Sequence, residues 1–192
     1  MLGVFQYNHY LLRRQVFALT GKFRLYSPTN DLLLYSEQKM FRLKEDIRLY
    51  SDETKSQELL HIQARQILDF SAAYDIIDVS LGQKVGVLRR KGIRSIMRDE
   101  WEVLDAQDQP LGVLFEDSVA LALLRRLVLG TLLPQNYDIQ INRQRAADLK
   151  QRFNLFRYEL DLDFSMDQAH LLDRRVGIAA AILLGTVEGK QS

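Results

Sequence analysis

Six basic residues and no acid lie between Lys84 and Arg98: Lys84, Arg89, Arg90, Lys91, Arg94 and Arg98. Guanidinium forks suit phosphate oxygens, and a glycine beside them, here Gly92, lets backbone amides approach an anion. Arg89, Arg90, Lys91 and Arg94 are therefore the candidate ligand-binding residues, with an anionic head group as ligand. The competing reading is a solvated hairpin tip neutralised by Asp99, Glu100 and Glu102. Arg13 with Arg14, Arg125 with Arg126, and Arg143 with Arg145 form smaller basic groups. They reinforce the first group only if the fold gathers them. No recognition-helix motif appears, and aromatics do not interleave with the basic run, which argues against nucleic acid as the partner.

Other chemistries find less support. Asp161, Asp163, Ser165 and Asp167 alternate like calcium-loop ligands. An EF-hand needs Gly at its sixth position and Glu at its twelfth, and Met166 and Leu172 stand there instead. His9, His61 and His170 are isolated and lack metal-site spacing. No phosphate loop, dinucleotide fingerprint or nucleophile elbow is present. Asp99 and Glu100 are adjacent, so on a strand they face opposite sides and cannot share acid–base work. Trp101 reads as a packing residue. The expectation is a protein that is not an enzyme, with no cofactor and no metal.

The elements that must carry these residues are mostly strands. Phe23 and Leu25 alternate with Lys22, Arg24 and Tyr26, and Ile47 and Leu49 with Asp46, Arg48 and Tyr50. Further runs lie at Leu59–Gln63, Tyr74–Val79, Lys84–Leu88, Glu100–Leu104 and Leu111–Phe115. Tyr158, Leu160, Leu162 and Phe164 alternate strictly with Glu159, Asp161, Asp163 and Ser165. Turn residues at 27–31, 51–54 and 105–110 separate them. Such spacing predicts a barrel or sandwich.

Two helices are expected. One runs mid-chain from Asp117 to Gly130, stopped by Gly130 and Pro134. The other starts at a capping box, Ser165 to Gln168, and runs to about Val187. Its first half, around Leu171, Leu172 and Arg174, is amphipathic. Its second half, Val176 to Leu184, is apolar on every side and must be enclosed. In a strand-rich chain the simplest enclosure is a sheet wrapped around it. Neither apolar stretch, Val119–Leu133 or Val176–Val187, reaches the roughly 20 residues of a membrane span.

These features together resemble the tubby C-terminal-like superfamily, in its LURP-one-related branch, which is related to the phospholipid scramblases. The stretch from Arg89 to Asp105 carries most of the likeness: a basic turn leading into the acidic-aromatic strand Glu100-Trp101-Glu102. Tyr10 to Gln15 and Gly21 to Tyr26 are similar to the group's first strands. The resemblance implies a mainly β fold, a closed antiparallel barrel of about twelve strands around an apolar C-terminal helix. It implies one such domain over residues 1–192. It also implies basic residues that meet phosphoinositide head groups, as in tubby-type members, or a link to lipid movement and calcium, as in scramblase-type members. The chain departs from the scramblases in having no cysteine for palmitoylation and no proline-rich arm.

Composition sets the outer bounds. The 192 residues carry 26 Lys+Arg against 25 Asp+Glu, and 47% are hydrophobic. That is too apolar for disorder and long enough for a full core. A net charge of +1 gives no global pull toward nucleic acid or membrane, so such a role must be local. Zero cysteine excludes a disulfide framework and fits a reducing compartment. Residues Met1 to Tyr10 do not read as a secretory signal. The expected function is a non-enzymatic binding or scaffold domain, cytoplasmic and peripheral to the membrane, recognising anionic phospholipid. A protein–protein interaction module is the alternative, and a scramblase the third reading.

Overall fold

A computed structural model describes residues 3–15, 20–39, 46–65, 72–91, 100–117, 135–152, 154 and 157–188. Twelve strands follow a short 3-10 turn at Gly3–Phe5. They are β1 (His9–Gln15), β2 (Thr20–Tyr26), β3 (Leu32–Lys39), β4 (Ile47–Tyr50), β5 (Glu58–Ala64) and β6 (Ala73–Asp78). Then come β7 (Gln83–Arg90), β8 (Glu100–Leu104), β9 (Pro110–Glu116), β10 (Asn136–Ile141), β11 (Gln144–Arg152) and β12 (Arg157–Asp163). Helix α1 (Arg174–Glu188) follows.

Each strand pairs antiparallel with its sequence neighbours, and β1 closes the barrel on β12 from His9↔Asp163 to Gln15↔Arg157. The weakest join is β3 to β4. Among the described residues these strands share the single register pair Tyr35↔Tyr50, while every other neighbouring pair carries a ladder of four or more.

The expected alternation holds. Phe23, Leu25, Leu160 and Leu162 point inward and are buried, with charged neighbours outside. Val176, Ile178, Ala179, Ala180, Ala181, Ile182, Leu183 and Leu184 are all at most 3% exposed, so α1 is the axis of the core. Each buried Leu, Ile or Val contributes about 1.5–3 kcal/mol of hydrophobic stabilisation. Two glycines let the walls approach the helix. A Cβ at Gly86 of β7 would lie 2.7 Å from Val176 Cγ2, and one at Gly177 would run into the Phe164 ring.

The helix begins later than its sequence suggests. Residues 164–173 form turns, and the cap is Asp173, whose Oδ1 accepts the Arg175 N–H at 2.9 Å. The Ser165 capping box does not form because the Ser165 N–H bonds Asp163 Oδ1 instead. Asp167 holds the turn by accepting the Leu171 and Leu172 amides, and His170 adopts a left-handed φ of 51°. The expected mid-chain helix lies outside the described residues, apart from Asp117.

Because the strands alternate in direction, the turns at 27–31, 51–57, 79–82, 105–109 and 142–143 share one end of the barrel. The chain leaves β12 at that end and enters the lumen as α1. The strand ends flanking 92–99 belong to the opposite end, where α1 terminates.

Candidate functional site

The basic hairpin is built by β7 and β8, in register at Leu88↔Val103, Arg89↔Glu102 and Arg90↔Trp101. Residues paired across a ladder share a face, and neighbours along a strand do not. Leu88 and Val103 are buried in the core, so Arg89 and Glu102 face outward, while Arg90 and Trp101 face the lumen. Lys91 follows on the outer side, its N–H bonded to the Glu100 carbonyl at 3.0 Å.

Three consecutive cations are thus split between two environments. Arg89 donates from Nε to Glu102 Oε2 at 2.7 Å, with 46% of its side chain exposed. Lys91 Nζ sits 2.7 Å from Glu100 Oε1 and 3.8 Å from Glu102 Oε1. Arg90 turns inward, its guanidinium carbon 6.0 Å from the centre of the Trp101 ring. Trp101 is 1% exposed and packs against Tyr74, with ring centres 6.1 Å apart. Arg94 and Arg98 lie outside the described residues.

Lys84 belongs to a different cluster. Its Nζ lies 3.2 Å from Asp108 and 3.8 Å from Asp75, and Arg65 bridges the same two carboxylates. Those bonds hold Arg65 well above its usual range and Asp108 below its own. The smaller basic groups do not gather with the hairpin. Arg13 pairs with Glu159 outside the barrel, while Arg14 faces inward over the Phe23 and Tyr158 rings. Arg145 pairs with Asp138. Arg125 and Arg126 lie outside the described residues.

The candidate calcium ligands have separate tasks. Asp161 binds Arg152, Asp163 accepts the Ser165 amide, and Asp167 points to the helix entrance. Among the described residues no three potential metal ligands cluster. His9 faces Asp163 at 3.4 Å and His61 faces Asp46 at 3.2 Å.

Reading the sequence missed the main buried charge cluster, at the helix entrance. Arg174 Nη1 meets Asp167 Oδ2 at 3.0 Å, Arg174 Nη2 reaches Asn8, and its guanidinium lies over Phe164. Arg175 pairs with Asp78 and with Asp173. Burial alone would push Asp78 up, but bonds from Ser80, Arg175 and the Leu81 amide outweigh it and hold its pKa below the usual range. The same balance, with the Leu172 and Leu171 amides and Arg174, lowers Asp167. The signal was Asp173-Arg174-Arg175 at the start of an apolar run: charges that must enter a core need partners.

Fold and hairpin together define a β-barrel domain threaded by its own C-terminal helix, with charge-compensated outer walls. A family model described as LURP-one-related matches residues 32–182, and the chain belongs to that family. The barrel agrees with the link to the tubby-like superfamily. No curated protein and no solved structure matches the chain.

Proposed function

We propose that this chain is a non-enzymatic binding domain that holds an anionic phospholipid or phosphoinositide head group on its β7–β8 hairpin, through Arg89 and Lys91 of the outer face together with Arg94, while Arg90, turned into the lumen beside Trp101, takes no part. One observation carries the reading. Arg89 and Lys91 stand on the same outer face with partly exposed carboxylate partners, so phosphate oxygens can replace Glu102 and Glu100. Exposed ion pairs are worth only about 0–1 kcal/mol, and each basic residue near an anionic surface gains about 1 kcal/mol. The exchange is nearly balanced, and it favours binding at low salt. This reading needs no cofactor, metal or covalent step, and it implies a peripheral, cytoplasmic protein.

Vesicle flotation tests it. Phosphatidylserine vesicles, with and without phosphoinositide, should carry the protein at low salt and release it at high salt. The Arg89→Ala/Lys91→Ala variant should lose most of that binding, and so should the variant that adds Arg90→Ala. Equal flotation of wild type and variants would remove the hairpin as the site.

A second reading, a protein–protein interaction module, draws on Glu100 and Glu102. Interleaved with Arg89 and Lys91, they give the face both signs, which suits a complementary protein surface. Salt-insensitive capture of one protein, without vesicle binding, would favour it. A scramblase reading has less support: no helix among the described residues is long and apolar enough to cross a membrane.

A further inference from the structure

Among the described residues the β3–β4 join carries the single register pair Tyr35↔Tyr50, although β3 runs on to Lys39 and β4 begins at Ile47. Backbone hydrogen bonds therefore do little to close the barrel there. Side chains from the β4–β5 turn span the join instead. Glu53 accepts two bonds from Arg24 of β2, at 2.7 and 3.1 Å. Lys55 reaches Glu37 of β3 at 3.1 Å, and Lys22 of β2 shares that carboxylate at 3.7 Å. Tyr35 lies beneath this lattice, its hydroxyl on Glu37 and the Arg24 guanidinium 5.5 Å from its ring centre.

A second observation lies on the inner side of the same join. Ser36 pairs with Phe23, which faces the lumen and packs where a Cβ on Gly185 of α1 would sit. Ser36 therefore also faces the lumen. It is 1% exposed, and its Oγ has no hydrogen-bond partner among the described residues. A buried hydroxyl left unpaired costs stability, and opening of the join would hydrate it.

We infer that the β3–β4 join is a gate in the barrel wall, held shut by the Arg24–Glu53 and Lys55–Glu37 ion pairs and opened by salt. Opening gives solvent lateral access to the inner wall at Ser36, beside the C-terminal half of α1. Both clasp pairs are partly exposed, so dissolved ions screen them. The β1–β12 join has its own outer pair, Arg13–Glu159, but a seven-residue ladder behind it. Salt should leave that join closed.

The chain has no cysteine, so Ser36→Cys introduces a single thiol, and Trp101 is the one tryptophan. The experiment measures labelling of the Ser36→Cys thiol by a small disulfide reagent, with Trp101 fluorescence reporting global unfolding of the same sample. Labelling should run faster than global unfolding. It should accelerate about twofold to fivefold on adding Glu53→Gln, or on raising salt from low to molar concentration, as expected for loss of an exposed pair. The unfolding rate should change much less. Labelling that only keeps pace with global unfolding, or that ignores both salt and Glu53→Gln, would overturn the gate. If Ser36→Cys fails to fold, Leu34→Cys on the same inner face of β3 gives the same readout.

Discussion

Asp167 accepts the amides of Leu171 and Leu172 and the guanidinium of Arg174, with 1% of its side chain exposed. Asp167→Ala strands Arg174 in the core and leaves two amides unpaired, so it should cost about 3–5 kcal/mol in urea unfolding followed at Trp101. Arg174→Ala should cost less, because the amides still satisfy the carboxylate. The pH dependence follows from the same bonds. Asp167 and Asp78 both titrate below their ordinary value, so their stabilisation is fully present above the unfolded carboxylate pKa of about 3.9. It is lost as pH falls through their lower native values. Acid unfolding should begin below about pH 4 and should be blunted in Asp78→Asn. By contrast, Glu102→Gln loosens two partly exposed pairs, to Arg89 and Lys91, while Lys91 keeps Glu100, and should change stability by no more than about 1 kcal/mol.

From Val176 to Leu184 helix α1 is apolar all round, and Val176 and Ile178 to Leu184 are all buried within the barrel. Ala180→Asp would bury an unpaired charge and should abolish soluble expression; a normally folded variant would contradict the enclosure. Asp173→Ala should lower stability by about 1 kcal/mol through loss of the cap, and further through the freed Arg175. The helix interior was legible because Val176 to Leu184 is apolar on every side, and a wrapped sheet is the simplest way for a strand-rich chain to enclose it. Its start was not, because Ser165-x-x-Gln168 satisfies a local rule that Asp163 and Asp167 override with side-chain bonds. The β10–β11 hairpin was equally hard to read. Its turn is Asn142-Arg143, both at positive φ without a glycine, and a bulge at Ile139/Gln140 puts Ala146 and Ala147 consecutively in the core. In the candidate site, the charges of 84–105 were legible and their direction was not. Only the β7–β8 register shows that Arg90 turns inward beside Trp101 while Arg89 and Lys91 take acidic partners.

The buried residues form one contiguous cluster that includes both the strands and α1. The described chain should therefore unfold in a single transition, with Trp101 fluorescence and far-ultraviolet dichroism coinciding. Near-neutral charge reflects local compensation across the outer wall: Arg13 with Glu159, Arg48 with Glu58, Arg89 with Glu102 and Arg152 with Asp161. Membership of the LURP-one-related family rests on residues 32–182, which take in most of the barrel and much of the helix. Helix α1 is the enclosed core of this barrel. Native-state hydrogen exchange of the Ile178 to Ala181 amides, in the half of α1 away from the β3–β4 join, is the decisive measurement. These amides should exchange only through global unfolding, with the free energy obtained from Trp101-monitored denaturation. Exchange through openings well below that free energy would contradict the enclosed helix.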